Sequence, residues 1–482
     1  MSLITQKATL AAAGAGGSVD YWAMQISKST PPQYDETDPS TVFLSNDRET
    51  LFVGANDNNS GKFHLYSIST ADGSIQNIDI SVNSSGGSVT SEGRQYNGFP
   101  ENDKVAAYLR LGNQGLPEQE AYYDYSSGVS SRPSKSGVEM TFPPSNMYSS
   151  GNSSGAMYNR YYNAGSEFAV WNIGHTTTPY LSKRLAINTT RVGSAYVGNS
   201  GRYYTFGNYR DYQYEPCVYT FLANGSTSYS ARFHQNGLNN SPYNGGMVED
   251  STGTHLYLGL ARYDSGFGQT YVGCHKLNET DGSQDAQFSG KTIGGSSDDK
   301  QDQFSIDISA DDSEIAIAFA GKDEYLESKR FPMPGFITFD ESDFTQTKTM
   351  QYIARTNYSY ASAPNQPDVN TARCFYVADG SLLIVWTMRV NNPSYQTYIM
   401  ITKVDPQGSL DGATFSFTTY GTYGETRNYQ IKNANQTYAV GNRGSSNTEM
   451  TTYSNLSVTG RATNNQMSTG NGFTFNTTLK DL

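Results

Sequence analysis

The sequence predicts an all-β fold: a single β-propeller of eight, alternatively seven, blades with an extended N-terminal arm. Three observations predict it. Short apolar runs recur along the 482 residues, each too short for an ordinary buried helix and rich in β-branched and aromatic types. Turn signals containing Gly follow or precede them, since Gly supplies the positive φ that such turns need. Charged residues are only 16% while Gly (47) and Tyr (37) are abundant, which describes many short strands joined by tight turns.

The unit is clearest at 378–408. There ADGS is a turn, LLIVWTM an apolar strand, TYIMITKV a second strand, and DPQG the next turn. Seven further runs follow the same plan: TLFVGA (50–55), KVAAYLRLG (104–112), EFAVWNIG (167–174), RYYTFGNY (202–209), THLYLGLA (254–261), EIAIAFAG (314–321) and QTYAVGN (436–442). Most have a short strand before them and a third strand after them. Gly turns close several third strands: ADGS (71–74), NGS (224–226), TDGS (280–283) and PQGS (406–409). The spacing of the units is that of four-stranded propeller blades. A blade buries both faces against its neighbours, which explains the uninterrupted apolar runs at 315–320 and 382–388. The third and fourth units are the shortest and are expected to be truncated or merged. The first strand of the second unit is weak and falls within 88–100.

Two segments result, an Ala/Gly-rich arm at 1–19 and the propeller domain at 20–482. The strand at 21–27 stands before the first complete unit. It is expected to close the ring by pairing with the last blade, near 450–456 or 473–476. An open end would expose an apolar face and a strand edge.

Composition narrows the function classes. The net charge of −12, with no basic cluster, argues against a nucleic-acid partner. No run approaches the roughly 20 apolar residues of a membrane span, so no membrane insertion is expected. The start has one Lys and an Ala/Gly stretch in place of a Leu-rich one, which argues against secretory cleavage. Cys217, Cys274 and Cys374 are widely spaced and form neither a disulfide framework nor a zinc pattern; they read as buried small hydrophobes.

Catalytic patterns are weak. HExxH, G-x-S-x-G and P-loop signatures do not occur. His64, His255 and His275 fall in predicted strands and read as sheet histidines. Propeller glycosidases use carboxylate pairs, for which the acidic runs 35–38, 298–299, 311–312 and 340–343 are the candidates; all fall in predicted loops and read as solvated turn carboxylates. The oxygen-rich 56–61 loop lacks the register of a calcium loop. Neither catalytic, cofactor nor metal residues are assigned, and the chain reads as a non-enzyme. Tyr209, Tyr212 and Tyr214, in and beside the 202–209 strand, are the candidate surface-binding residues, because flat rings with a polar handle suit sugars or protein partners.

The repeat of short strand, Gly turn, apolar strand, third strand and x-G-S turn resembles degenerate propeller repeats of bacterial surface and bacteriophage proteins. The opening AAAGAGGSVDYWAMQIS is similar to β-propeller virion structural proteins of marine tailed bacteriophages. The resemblance covers the arm and, loosely, 20–465. It implies a virion structural protein, a tail or capsid-attached appendage present in multiple copies. Its partners would be other virion proteins and a host surface glycan or protein. Ala11, Ala12, Ala13, Gly14, Tyr21 and Trp22 are then the anchoring residues. Small uncharged side chains gain little by folding alone, and they can thread between subunits where large ones would clash. The alternative is a secreted or surface carbohydrate-binding or glycoside-hydrolysing propeller, which would be extracellular.

Overall fold

A computed structural model describes the strands and adjoining turns between Val19 and Asp481. Residues 1–18, 28–40, 81–94, 132–154, 356–371 and 434–465, with shorter loop stretches, lie outside the described residues. Every regular element among the described residues is a β-strand.

β1 spans Trp22–Ser27. A first antiparallel meander follows: β2 (Thr41–Leu44), β3 (Thr50–Asp57), β4 (Lys62–Ser69) and β5 (Ile75–Ile80). The second unit is β6 (Gln95–Phe99), β7 (Lys104–Leu109), β8 (Gln119–Asp124) and β9 (Val129–Ser131). The third has three strands among the described residues, β10 (Gly155–Tyr162), β11 (Gly165–Asn172) and β12 (Leu181–Arg184), whereas the fourth, also expected to be truncated or merged, has all four. The fourth is β13 (Thr189–Val197), β14 (Tyr203–Tyr209), β15 (Glu215–Phe221) and β16 (Thr227–Arg232). The fifth is β17 (Gly245–Glu249), β18 (His255–Asp264), β19 (Gln269–Asn278) and β20 (Gln284–Gly294).

The remaining strands share one twelve-stranded sheet. Within it lie a sixth meander, β21 (Phe304–Ile308), β22 (Glu314–Asp323), β23 (Phe331–Asp340) and β24 (Thr349–Arg355), and a seventh, β25 (Ala372–Tyr376), β26 (Leu382–Asn391) and β27 (Tyr395–Val404). The C-terminal strands are β28 (Thr414–Thr418), β29 (Thr426–Asn433), β30 (Gln466–Ser468) and β31 (Thr474–Asp481). They bridge the outer strand of the sixth unit to β1, in the order β24-β29-β28-β30-β31-β1.

β1 supplies the fourth strand of the seventh unit. It pairs antiparallel with β27, Met24 opposite Ile401, and parallel with β31, Met24 opposite Thr478. The expected pairing of the N-terminal strand with the 473–476 stretch is thus found, Trp22 lying opposite Asn476, while its antiparallel partner, Tyr395–Val404, is a different third strand from the one expected at 450–456. That segment lies outside the described residues, as does the eighth run at 436–442.

The sheets stack face to face. The first strands adjoin in series: β2 with β6, β10 with β13, and β13, β17, β21 and β25 in turn. Period-2 alternation explains how one strand serves two neighbours. On β22, Ile315, Ile317 and Phe319 join the core shared with the fourth and fifth units, while Ala316 and Ala318 face the seventh. On β26, Leu382, Ile384 and Trp386 face the sixth unit, and Leu383 and Val385 join Trp22, Met24, Ile26, Val53 and Ile68 in a core with the first. Ala316 and Ala318 share a core with Trp386, small side chains leaving room for a large one. Gly335 serves the same end inside the sixth unit, where an added Cβ would lie 2.7 Å from the Phe319 ring and 2.8 Å from the Gln351 carbonyl oxygen.

Candidate functional site

The polar side chains that the fold brings together lie at one end of the stacked sheets, in the turns after each first and third strand. The turn between first and second strands is a shared local design. Ser45 N–H donates to Thr50 O at 2.9 Å, Asp250 N–H to His255 O at 3.0 Å, and Ser309 N–H to Glu314 O at 2.8 Å. Side-chain oxygens fill the turn: Ser45 Oγ and Ser309 Oγ each accept from a backbone N–H at 2.9 Å, from Thr50 and Glu314. Asp250 Oδ1 accepts from Thr254 N–H at 2.8 Å and Asp379 Oδ1 from Ser381 N–H at 3.0 Å. Short polar side chains bonding to backbone a few residues on are what make such turns.

One position in this turn takes a left-handed conformation: Gly253 at φ 70°, Gly380 at 82°, and, against type, Arg48 and Asp312 at 60°. A non-Gly residue there is disfavoured by about 1–2 kcal/mol. Both exceptions reach a neighbouring sheet. Arg48 Nη1 donates to Tyr376 O at 2.8 Å and lies 3.3 Å from Asp307 Oδ2. Asp312 accepts from Ser251 N–H at 3.0 and 3.1 Å. The strain is thus matched by contacts that a Gly could not make.

Three of the described seams carry a buried or half-buried carboxylate that accepts from the neighbouring unit, and at a fourth a lysine donates across to a backbone carbonyl. Between the sixth and seventh units, Tyr376 Oη donates to Glu314 Oε1 at 2.7 Å and Gln407 Nε2 to Glu314 Oε2 at 3.0 Å. Asp307 accepts from Tyr376 N–H at 2.7 Å; burial pushes its carboxyl up, against the pull of Arg48 and that amide. Between the fifth and sixth, Glu341 accepts from Tyr257 Oη at 2.6 Å and pairs with Lys276. Burial alone would raise Glu341, but Lys276 and Tyr257 outweigh it and hold it below the ordinary value. Between the fourth and fifth, Glu249 accepts from Tyr204 Oη at 2.7 Å and Ser200 N–H at 2.8 Å, and Arg202 Nη1 donates to Glu279 Oε2 at 2.9 Å. Between the seventh and first, the wholly buried Lys403 donates to Thr70 O at 2.9 Å and Asp379 Oδ2 at 2.6 Å. Trp22 Nε1 donates to the same Thr70 carbonyl at 3.2 Å.

The sequence-predicted residues fall as follows. Ala11, Ala12, Ala13 and Gly14 lie outside the described residues, as do Tyr212 and Tyr214; Tyr209 ends β14. Tyr21 is half-buried, and burial, with Asp405 and Asp379 nearby, pushes its phenol up. Trp22 is 2% exposed and packs over Gly73, whose missing side chain would otherwise sit 2.8 Å from the indole. Of the acidic runs, 35–38 and 298–299 lie outside the described residues. Asp311 does cap its own turn, accepting from Ser313 N–H at 3.1 Å. Asp312 and Glu341 correct the solvated-carboxylate reading, since both tie one sheet to the next. His64, His255 and His275 lie in strands as expected. His255 is flanked by Asp250 at 3.0 Å and Asp285 at 3.3 Å. Cys274 and Cys374 are free and buried. No group of three metal-ligating side chains occurs among the described residues, nor any helix long and apolar enough to cross a membrane.

Sequence reasoning missed the seams. The signal that could have found part of them is the Ser-x-Asp pair, at 45–47 and 309–311, at corresponding places in two units.

No protein-family model and no curated protein matches the chain. Solved structures do. A protein of unknown function from Dyadobacter fermentans is 10% identical with a TM-score of 0.42, over 79% of this chain and 98% of that one. An oligogalacturonate lyase in complex with manganese is 11% identical with a TM-score of 0.40, over 79% and 97%. AofleA from Arthrobotrys oligospora is 9% identical with a TM-score of 0.39, over 70% and 87%. With TM-scores this low, none of these likenesses bears on what this chain does.

Proposed function

We propose that this chain is a non-enzymatic structural protein of a phage particle, a tail or capsid-attached appendage, built as a β-propeller of seven units and anchored through its N-terminal arm. The observation that carries the reading is the seating of β1. The arm runs directly into this strand, which is laddered on both edges and whose residues Trp22 to Ile26 are buried. A load applied to the arm is therefore borne by two strand ladders and a packed core, as an anchor requires. The seam carboxylates support the non-enzymatic part, because each is engaged in joining sheets.

The test is deletion of residues 1–17 followed by incorporation into particles. Loss of incorporation by a folded, truncated protein supports the reading; full incorporation overturns the arm as anchor. Binding to a glycan array by a protein whose N-terminus has been cleaved supports the carbohydrate-active alternative instead.

A further inference from the structure

β1 fastens two units that are far apart in sequence, and it carries one residue that opposes its own seating. Residues 28–40 join it to β2, which lies in a different sheet, while its ladders are with β27 and β31. Trp22, Met24 and Ile26 join the core that also holds Val53 and Ile68 of the first unit. Trp22 Nε1 donates to Thr70 O at 3.2 Å, and Lys403 Nζ of the seventh unit donates to the same oxygen at 2.9 Å. Thr70 passes the tie to the other turn of the first unit: its N–H donates to Glu49 O at 2.9 Å and its Oγ1 to Arg48 O at 3.1 Å. From there Arg48 Nη1 returns to the seventh unit at Tyr376 O, 2.8 Å away, and Ala378 N–H donates to Arg48 O at 3.3 Å. Gln25 alternates to the opposite face of β1, with Ala23. It is wholly buried, and neither its Oε1 nor its Nε2 has a hydrogen-bond partner. A buried amide left unsatisfied favours the state in which water reaches it, and for Gln25 that is the state with β1 withdrawn.

We propose that β1 is a releasable strap. Seated, it fastens the first unit to the seventh through the Thr70 carbonyl; withdrawn, it hydrates Gln25 and loosens both turns of the first unit. Segments of a fold open locally at free energies below that of global unfolding, and the least tightly held are the ones that move. A strand apolar on both faces would be held more tightly here, so the amide at the centre of β1 shifts the balance towards release. The inference concerns the fold's own closure and does not depend on the particle role.

The experiment is hydrogen exchange on the full-length protein, followed in peptides from β1, from the first-unit turns at 45–50 and 69–75, and from β18 of the fifth unit as the reference. β1 and the two turns should open together and more readily than β18. Gln25→Met should slow exchange at β1 by about fivefold or more, the factor for relieving one unsatisfied buried group. It should slow both turns equally, although residue 25 faces away from them, and leave β18 unchanged. Trp22→Phe keeps an aromatic ring but loses the N–H, and should speed exchange at β1 and the turns by about fivefold, the factor for one lost hydrogen bond. Slowing confined to β1, no slowing with Gln25→Met, no rise with Trp22→Phe, or an equal shift at β18 overturns the strap. If β1 of the unsubstituted protein opens only together with β18, the strap is overturned without any variant.

Discussion

Tyr376 donates its phenolic hydrogen to Glu314 across the boundary between the sixth and seventh units, at 2.7 Å and out of contact with water. Lys348 completes the group from the sixth unit itself, with Nζ 2.6 Å from Glu314 Oε2. A hydrogen bond to a charged group is worth about 1.5–3 kcal/mol, and Tyr376→Phe removes this one without changing the ring. The variant should be destabilised by about that amount in a denaturant titration. An unchanged midpoint would mean that this stitch contributes nothing.

Gln25 is wholly buried at the centre of β1, and neither amide atom has a hydrogen-bond partner. It shares a face with Ala23 and lies opposite Met400. An unsatisfied buried polar group costs about 1–3 kcal/mol. Gln25→Met, similar in length and flexible, should therefore raise the melting temperature. A fall would indicate that the amide has a partner in solution.

Removing 1–27 should destabilise the protein far more than removing 1–17. Trp22, Met24 and Ile26 are each nearly inaccessible, and burying such a side chain contributes about 1.5–3 kcal/mol. Melting curves of the two truncations should separate clearly. Equal curves would show that β1 does not close the seventh unit.

Lys403 and Asp379 form an ion pair in which the ammonium is fully buried and the carboxylate about one third exposed. Burial works against the Asp379 charge, but Lys403 and Ser381 outweigh it and hold its carboxyl below the ordinary value. A depressed carboxyl contributes stability above its unfolded pKa, and that stability is lost as pH falls through the folded value. Stability should therefore drop on acidification below about pH 4, and Lys403→Met should flatten that part of the profile. A profile identical in shape for both proteins would rule the pair out as its source.

Gly73→Ala should be destabilising on two counts: φ is +72° and the new Cβ would press on the Trp22 ring at 2.8 Å. At Gly380, where φ is +82° but nothing lies within 4 Å, only the backbone cost applies. Unfolding midpoints of the two Ala variants should rank in that order. The reverse ranking would mean the indole moves aside without penalty.

Much of this architecture is local and was therefore legible in the residues. Apolar runs of strand length and Gly turns depend on a few neighbours along the chain, so β3, β7, β11, β14, β18, β22 and β26 fall on their predicted stretches. Gly73, Gly282 and Gly408 take positive φ in their predicted turns. The double burial of β22 and β26 was likewise written in their unbroken apolar runs. One partner of β1, the strand at 474–481, stood among the expected places, but the other was not legible, since any strand with a free edge satisfies its backbone equally; stacking against the first unit decided for β27. Nor could a turn glutamate such as Glu341 announce that it meets Tyr257, 84 positions away. Whether a carboxylate is solvated or stitched depends on which sheet lies opposite, and only tertiary structure decides that.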